Sequence, residues 1–414
     1  MHIVFLTDDF PPNSFGGAGI IAAELARGIR KAGHNITIIT TREQRSQADF
    51  YFFEDIPVYA IYAPYPSRLT SYFCLYNPSA VKQIKSLLTR IRPDIVHAHN
   101  IHQTISYHSL LISKKCARKV FLTAHDTMLF SYGKFSDYYD KNNLSIQSEF
   151  NYKISTRTQL TSAKKRFNPF RNFIIRYYVG RINRVFAITE RLKAALNSNG
   201  FNNVTVSHYG LDPVEWAPND AKILQFKQRF NLVQKQIVLF GGRLSSGKGG
   251  DVTISAFAFV VKSLPVAKLL IVGKLSPYTK HLQARAKELN IEKNIIFTGW
   301  LNREEMKCAI HASDVCVTPS IYFDAFNLFN LEAMISKKPV IGTCFGGTPE
   351  IVVDGKTGII INPNNTRMFA EAIQEILTDE NSSKKMGIAG YSRVQKYFLL
   401  NHFVEQTLDH YESL

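Results

Sequence analysis

Short, wholly apolar runs alternate with amphipathic ones along most of the chain. HIVFLT (2–7) is a continuous apolar stretch of strand length. The loop FPPNSFGGAG separates it from IIAAELARGIRKAG, where Ile21, Leu25 and Ile29 recur at four-residue steps and Gly33 is placed to end a helix. NITIITT, DIVHAHN, VFLTAHD and VFAIT predict further strands, and ERLKAALNSNG after the last predicts a helix. The stretch SHYGLDPVEWAP (207–218) has Gly, two Pro and no period, and reads as a connection. Beyond it the alternation restarts, with IVLF, KLLIVG, NIIFTG, VCVTP, PVIGT and GIIIN as strands and LQARAKELN and REEMKCAIHA as helices. Near-continuous apolar strands suit parallel sheets covered on both faces. The pattern predicts an α/β chain of two doubly wound domains facing across a cleft, 1–208 and 214–390, with a last helix at about 392–414 packing back on the first.

Composition adds limits. With 45% hydrophobic and 20% charged residues over 414 positions, the chain is globular and long enough for two or three cores. MHIVFLTDDFPP lacks the basic start and apolar core of a secretory leader, and no run reaches the ~18 apolar residues of a membrane span. Five cysteines (Cys74, Cys116, Cys308, Cys316, Cys344) never fall in CxxC spacing, which points to reduced thiols and away from a zinc site. The net charge of +17 is lopsided: residues 1–210 hold 27 Lys/Arg against 13 Asp/Glu, residues 211–414 hold 23 against 20. An anionic partner is expected for the first half.

In doubly wound sheets ligands sit outside the carboxyl ends of strands, so the loops after strands carry the chemistry. VLFGGRLSSGKGGD (238–251) has the Gly242-x-x-x-x-Gly247-Lys248 spacing of an ATPase phosphate loop, but Gly249 stands where a Ser or Thr would hold Mg²⁺. Arg243 and Lys248 can neutralise a diphosphate among glycine amides without a metal. In SFGGAG, Gly16 and Gly17 open a helix whose first amides suit phosphate. TAHD places His125 past a strand, where it could donate to a sugar hydroxyl or serve the core. PSIYFDAFNLFNLEAM (319–334) sets Asp324 and Glu332 eight residues apart around a helix start at Phe326, Asn327 and Leu328. Carboxylates accept paired hydrogen bonds from vicinal hydroxyls, and the free amides between them suit phosphate. CFGGTPEIVVDGKTG (344–358) could bring Glu350 to the same cleft. Phe297 and Trp300 of FTGW could flank a base or belong to the core.

FGGAG, TAHD, FGGRL-x-x-GKG, PS-x-x-x-D-x-F followed by EAM, and GGTPEIVVDGKTG occur in that order over nearly the whole chain. Together they resemble the family-four retaining, nucleotide-sugar-dependent glycosyltransferases of the GT-B fold. The resemblance implies a hexosyl transfer from a nucleoside-diphosphate sugar to a hydroxyl of a lipid-linked or saccharide acceptor, in cell-surface glycan or glycolipid synthesis. It implies donor binding mainly by the C-terminal half and the acceptor against the N-terminal half. Arg243 and Lys248 would hold the diphosphate, Glu332 the ribose, Asp324 the transferred sugar, with His125 near that sugar and Gly17 near the phosphates. No cofactor or metal is expected. Two positions depart from the pattern: Asp324 where Glu is usual, and Asn327 where Gly is usual, the latter tolerable if the turn is left-handed. A non-catalytic nucleotide-sugar-binding subunit and a nucleotide-sugar epimerase are the alternatives, separable by sugar transfer or donor hydrolysis.

KKRFNPFRNFIIRYYVGRINR (164–184) interleaves aromatic and aliphatic residues with Arg171, Arg176, Arg181 and Arg184, after a helix start at Asn168 and Pro169. It predicts a helix packed on the N-terminal sheet whose basic edge docks on an anionic membrane surface, at the inner face of the cell membrane with the protein otherwise cytoplasmic. Nucleic acid is not expected, because the aromatics follow a helical spacing rather than forming a stacking platform. The insert 134–163 shows no period and is expected to be a mobile loop over the acceptor site.

Overall fold

The computed structural model describes residues 1–12, 16–147, 149–242 and 244–413, with Lys165 as backbone only. The chain divides into two compact units. The N-terminal unit comprises Met1–Tyr138, Asn151–Tyr209 and Leu400–Leu414, and the C-terminal unit Tyr139–Phe150 and Gly210–Leu399.

The N-terminal sheet has eight strands: β1 (His2–Leu6), β2 (Asn35–Thr41), β3 (Phe50–Phe53), β4 (Ile56–Ile61), β5 (Ile95–Ala98), β6 (Lys119–Ala124), β7 (Arg184–Ala187) and β8 (Val204–Val206). Their order is β3-β4-β2-β1-β5-β6-β7-β8. All pairs are parallel except β3 with β4, a hairpin that turns at Glu54 with φ 57°. The apolar runs do end up buried on both faces: Ile3 through Leu6 are fully enclosed. The helix Gly17–Lys31 buries Ile21, Leu25 and Ile29 and stops before Gly33, whose φ of 87° an L-residue resists. The hairpin and β8 are additions to the sequence expectation.

The C-terminal sheet has β9 (Ile237–Phe240), β10 (Lys268–Val272), β11 (Ile295–Gly299), β12 (Val315–Thr318), β13 (Val340–Thr343) and β14 (Gly358–Ile361). It is wholly parallel in the order β11-β10-β9-β12-β13-β14, around a core that includes Val238, Phe240, Phe257, Val317, Phe369 and Ile373. All six expected strands and both named helices are present, the helices as Pro277–Glu288 and Arg303–Ala312.

Three boundaries differ from the sequence expectation. Residues 392–399 stay with the C-terminal unit, because the helix Glu380–Tyr397 is continuous through them; only Leu400–Ser413 returns. That last helix seats Val404 against Gly28 and gives the Tyr411 hydroxyl to His97 Nδ1 at 2.5 Å. Within the insert 134–163, Thr156–Ala163 is a helix capped by Ser155, so the insert is not one loop. Tyr139–Phe150 packs with the C-terminal unit.

Candidate functional site

In each sheet the strand order reverses beside one strand, between β1 and β5 and between β9 and β12. Such reversals open a crevice at the carboxyl ends, where α/β sheets bind ligands. In the C-terminal unit the loops at this point are those holding Lys248 and Asp324.

After β9 the chain turns through Gly242 (φ 116°), a single 3₁₀ turn Ser246–Lys248, and Gly249 (φ 85°), which caps the helix Gly250–Ser263. A Cβ at Gly249 would lie 2.0 Å from the Pro319 carbonyl oxygen. This close approach explains why no Ser or Thr can stand there: the turn is built for contact with the β12 loop, and Gly247 O accepts the Ile321 amide at 2.9 Å. The contact sets Lys248 Nζ 2.5 Å from Asp324 Oδ2, to which Ser320 Oγ also donates at 3.1 Å. Burial opposes the Lys248 charge, but Asp324 and Tyr322 outweigh it and hold the ammonium above the usual lysine range. Among the described residues nothing donates to Asp324 Oδ1.

Asp324 is fixed by its backbone as well. Its carbonyl accepts the Gly347 amide at 2.9 Å, and Gly346 (φ 59°) lies so near that a Cβ would sit 2.2 Å from the same oxygen. The GGTPE turn thus backs Asp324. Glu350 is half-buried in the following helix Thr348–Ile351, and its carbonyl accepts from Arg393. Asn327 does not occupy a left-handed turn. At φ −86° and ψ 99° it caps the helix Leu328–Ile335, its Oδ1 accepting the Phe329 amide at 3.2 Å, so Asn serves as an ordinary helix cap. The Leu328 amide makes no hydrogen bond among the described residues and stands at the positive helix end. One turn on, the Glu332 carboxyl makes no hydrogen bond among the described residues, and burial pushes its pKa up to about 7, against the pull of Arg303. Phe326 is a core side chain 6.3 Å from Phe398. Phe297 is half-buried and Trp300 half-exposed.

The N-terminal reversal is arranged differently. Asp8, just past β1, accepts the amides of Gln103, Thr104 and Ile105 at 2.8–3.0 Å, and burial pushes its pKa up to about 6. His125 shares a hydrogen bond with the Tyr209 hydroxyl through Nδ1 and with His99 Nδ1 (3.0 Å) through Nε2. Burial, reinforced by His99 and His102, pushes its pKa well below the usual range, so it is neutral. Both ring nitrogens are engaged by neighbouring side chains. Gly16 caps and Gly17 begins the first helix, and neither has positive φ.

Sequence reading missed Ser320, Asp8, His99 and the buried chain Thr318–Asn330–Thr348 that ties the β12 loop to its helix. Each is polar, short and close to a strand end, a weak signal that position alone supplies. Arg243 lies outside the described residues. In the basic stretch, Asn168 caps a turn and the helix spans Arg171–Val179. Arg171 is no surface charge: it is fully buried and donates to the Met128 carbonyl at 2.5 Å. Arg184 is half-buried on Thr205. Phe170, Phe173 and Tyr177 are exposed, with Arg181 stacked on Tyr177 at 3.4 Å.

Two family models match the chain, Glycosyltransferase Family 4 over residues 15–215 and Glycosyl transferases group 1 over residues 222–393. A GDP-mannose-dependent phosphatidylinositol monomannoside mannosyltransferase of Mycolicibacterium smegmatis is 29% identical over 44% of this chain and 49% of its own length. A D-inositol 3-phosphate glycosyltransferase of Corynebacterium aurimucosum is also 29% identical, over 47% and 48%. The chain thus spans about half the length of these two relatives. Among solved structures, sucrose-phosphate synthase from Thermosynechococcus elongatus superposes with a TM-score of 0.78 at 20% identity, over 100% of this chain and 98% of that one. Anabaena HepE in complex with UDP-glucose gives 0.74 at 19%, over 100% of both chains. With its two parallel-sheet units and both halves matched, the chain belongs to the family-four glycosyltransferases of the GT-B fold.

Proposed function

We propose that the protein is a retaining hexosyltransferase that uses a nucleoside-diphosphate sugar and glycosylates a hydroxyl of a lipid-linked or saccharide acceptor. The observation that carries this reading is the Lys248–Asp324 pair, on the loops beside a helix whose first amide, that of Leu328, makes no hydrogen bond among the described residues. Without ligand the two charges satisfy each other. A diphosphate takes Lys248 and the Leu328 amide, and Asp324 is released to accept a sugar hydroxyl. Glu332, one turn further, is assigned the ribose hydroxyls, Gly16 and Gly17 the phosphates from the N-terminal half, and Arg243 the second phosphate cation. As the C1–O bond to the diphosphate breaks, charge builds on its oxygens, and fixed cations and amides there stabilise the transition state. The acceptor oxygen bonds C1 on the same face, and its proton passes to the departing phosphate. Lys248 and Arg243 supply the countercharge, so the reading needs no metal. The name of the Mycolicibacterium relative supports a lipid-linked acceptor, and that name and HepE's complex support a nucleoside-diphosphate sugar as donor, GDP-mannose in the one and UDP-glucose in the other.

The exposed face Phe170, Phe173 and Tyr177, flanked by Arg176 and Arg181, supports docking on an anionic membrane surface. No described helix is long and apolar enough to span a membrane. Incubating the purified protein with a panel of nucleotide sugars, with and without membrane extract, and weighing the products tests the main reading. Transfer with retained configuration supports it; absence of both transfer and donor hydrolysis sinks it. Sedimentation with vesicles containing phosphatidylserine, weakened by Phe173→Ser, tests the docking.

A further inference from the structure

The segment Tyr139–Phe150 leaves the N-terminal half of the sequence and returns with its neck closed, the Asn151 amide donating to the Tyr138 carbonyl at 2.8 Å. A 12-residue excursion with joined ends is an Ω-loop, a class that is often functional. Its contacts fall in order on the loops after β12, β13 and β14. The Tyr139 hydroxyl donates to the Ile321 carbonyl at 3.1 Å, and the Tyr139 ring lies on Phe345, centroids 3.9 Å apart and planes 25° from parallel. Asn362, fully buried, donates to the carbonyls of Asn143 (2.8 Å) and Ser145 (2.9 Å). The loop therefore straps the carboxyl edge of three adjacent strands.

Two of those contacts bear on Asp324. Ile321 is also the residue whose amide binds Gly247 in the phosphate loop. Phe345 immediately precedes Gly346 and Gly347, the residues that back the Asp324 carbonyl. We infer that Tyr139 is a positioning residue for the donor site, holding Asp324 against Lys248 from both sides of its loop. The inference rests on the donor-site reading above for its kinetic consequence, but its structural consequence stands apart from it. Without Tyr139, the Ile321 carbonyl loses the hydroxyl that donates to it and the Phe345 ring loses the ring stacked on it, so the two loops flanking Asp324 loosen together.

The test uses the full chain. Tyr139→Ala is expected to lower kcat/KM for the nucleotide sugar about 30-fold, while Tyr139→Phe, which keeps the stack, stays within about threefold. The loss must be shared with Asp324: Tyr139→Ala added to Asp324→Asn costs less than twofold further. Hydrogen exchange of the amides at 320–324 and 345–347 accelerates at least tenfold in Tyr139→Ala, with the exchange of β1 and β5 unchanged. Unaltered exchange in those loops, or multiplicative effects of Tyr139→Ala and Asp324→Asn, overturns the inference. A wild-type chain inactive with every nucleotide sugar sinks the donor reading instead, and the exchange measurement still decides whether the strap holds the loop.

Discussion

The two strand-order reversals both gather polar side chains but pair them differently. At the N-terminal one, Asp8 takes three amides, and His125 is engaged at both nitrogens, by Tyr209 and His99. At the C-terminal one, Asp324 Oδ1, the Leu328 amide and the Glu332 carboxyl make no hydrogen bond among the described residues, and Lys248 is paired with Asp324 and Tyr322. A site awaiting a polar ligand keeps hydrogen-bonding capacity in reserve, whereas a cluster that holds loops uses its capacity internally. The open capacity at the C-terminal reversal fits the donor site proposed there, while among the described N-terminal histidines only His99 Nε2 is buried without a partner.

Breaking the C-terminal pair gives the largest effect. Lys248→Ala and Arg243→Ala should each lower turnover about 10²–10³-fold, the usual loss for one preorganised contact to developing charge. Asp324→Asn should fall in the same range. Steady-state transfer from the active donor measures all three. Near-normal turnover in Lys248→Ala and Arg243→Ala together would remove the phosphate assignment.

The C-terminal side of this contrast was largely legible in the residues. Six continuous apolar runs after residue 236 announce a covered parallel sheet, and each is a strand. Lys248 and Asp324, 76 positions apart, meet as the order of motifs implied. What sequence could not supply was partner geometry. Nothing along the chain says that His125 is claimed by Tyr209, that Arg171 is buried under Tyr132, or that Tyr139 stacks on Phe345. Those contacts join residues 39 to 206 positions apart, and local periodicity carries no record of them. Asn327 shows the opposite case, in which the residue type was compatible with two backbones and only coordinates distinguished cap from left-handed turn.

Gly249→Ala sharpens the same boundary through the backbone. Left-handed φ alone costs an alanine about 1–2 kcal/mol. The Pro319 carbonyl adds a clash with no flexible end to move aside. The strain alone corresponds to a Tm lowered by about 2–8 °C in a domain of this size. Thermal unfolding followed by circular dichroism reads it, and a Tm equal to wild type would show that the loop can retreat from β12.

Glu332 offers a smaller effect with a defined sign. Its carboxyl is neutral below about pH 7 and ionised above, because burial raises its pKa. Only the ionised form accepts two ribose hydroxyls, so the donor KM should rise about tenfold between pH 8 and pH 6. Glu332→Gln should flatten that profile. The folded state binds the extra proton across roughly pH 4.5–7, so this carboxyl lowers stability as pH rises through that window. The Gln variant should therefore gain Tm at pH 8 relative to wild type and match it at pH 4.

The smallest change in turnover is expected where the notion of a working histidine is most tempting. Tyr209→Phe removes the hydroxyl bound to His125 Nδ1 and leaves a buried nitrogen unpaired, at a cost of about 1–3 kcal/mol in stability. If the histidine cluster only positions loops, transfer at 25 °C stays within about threefold of wild type while Tm falls. His125→Asn, which keeps a short polar group facing His99, should behave alike. A loss of 10²-fold or more in either variant, with Tm unchanged, would give His125 a part in the chemistry and erase the distinction between the two reversals.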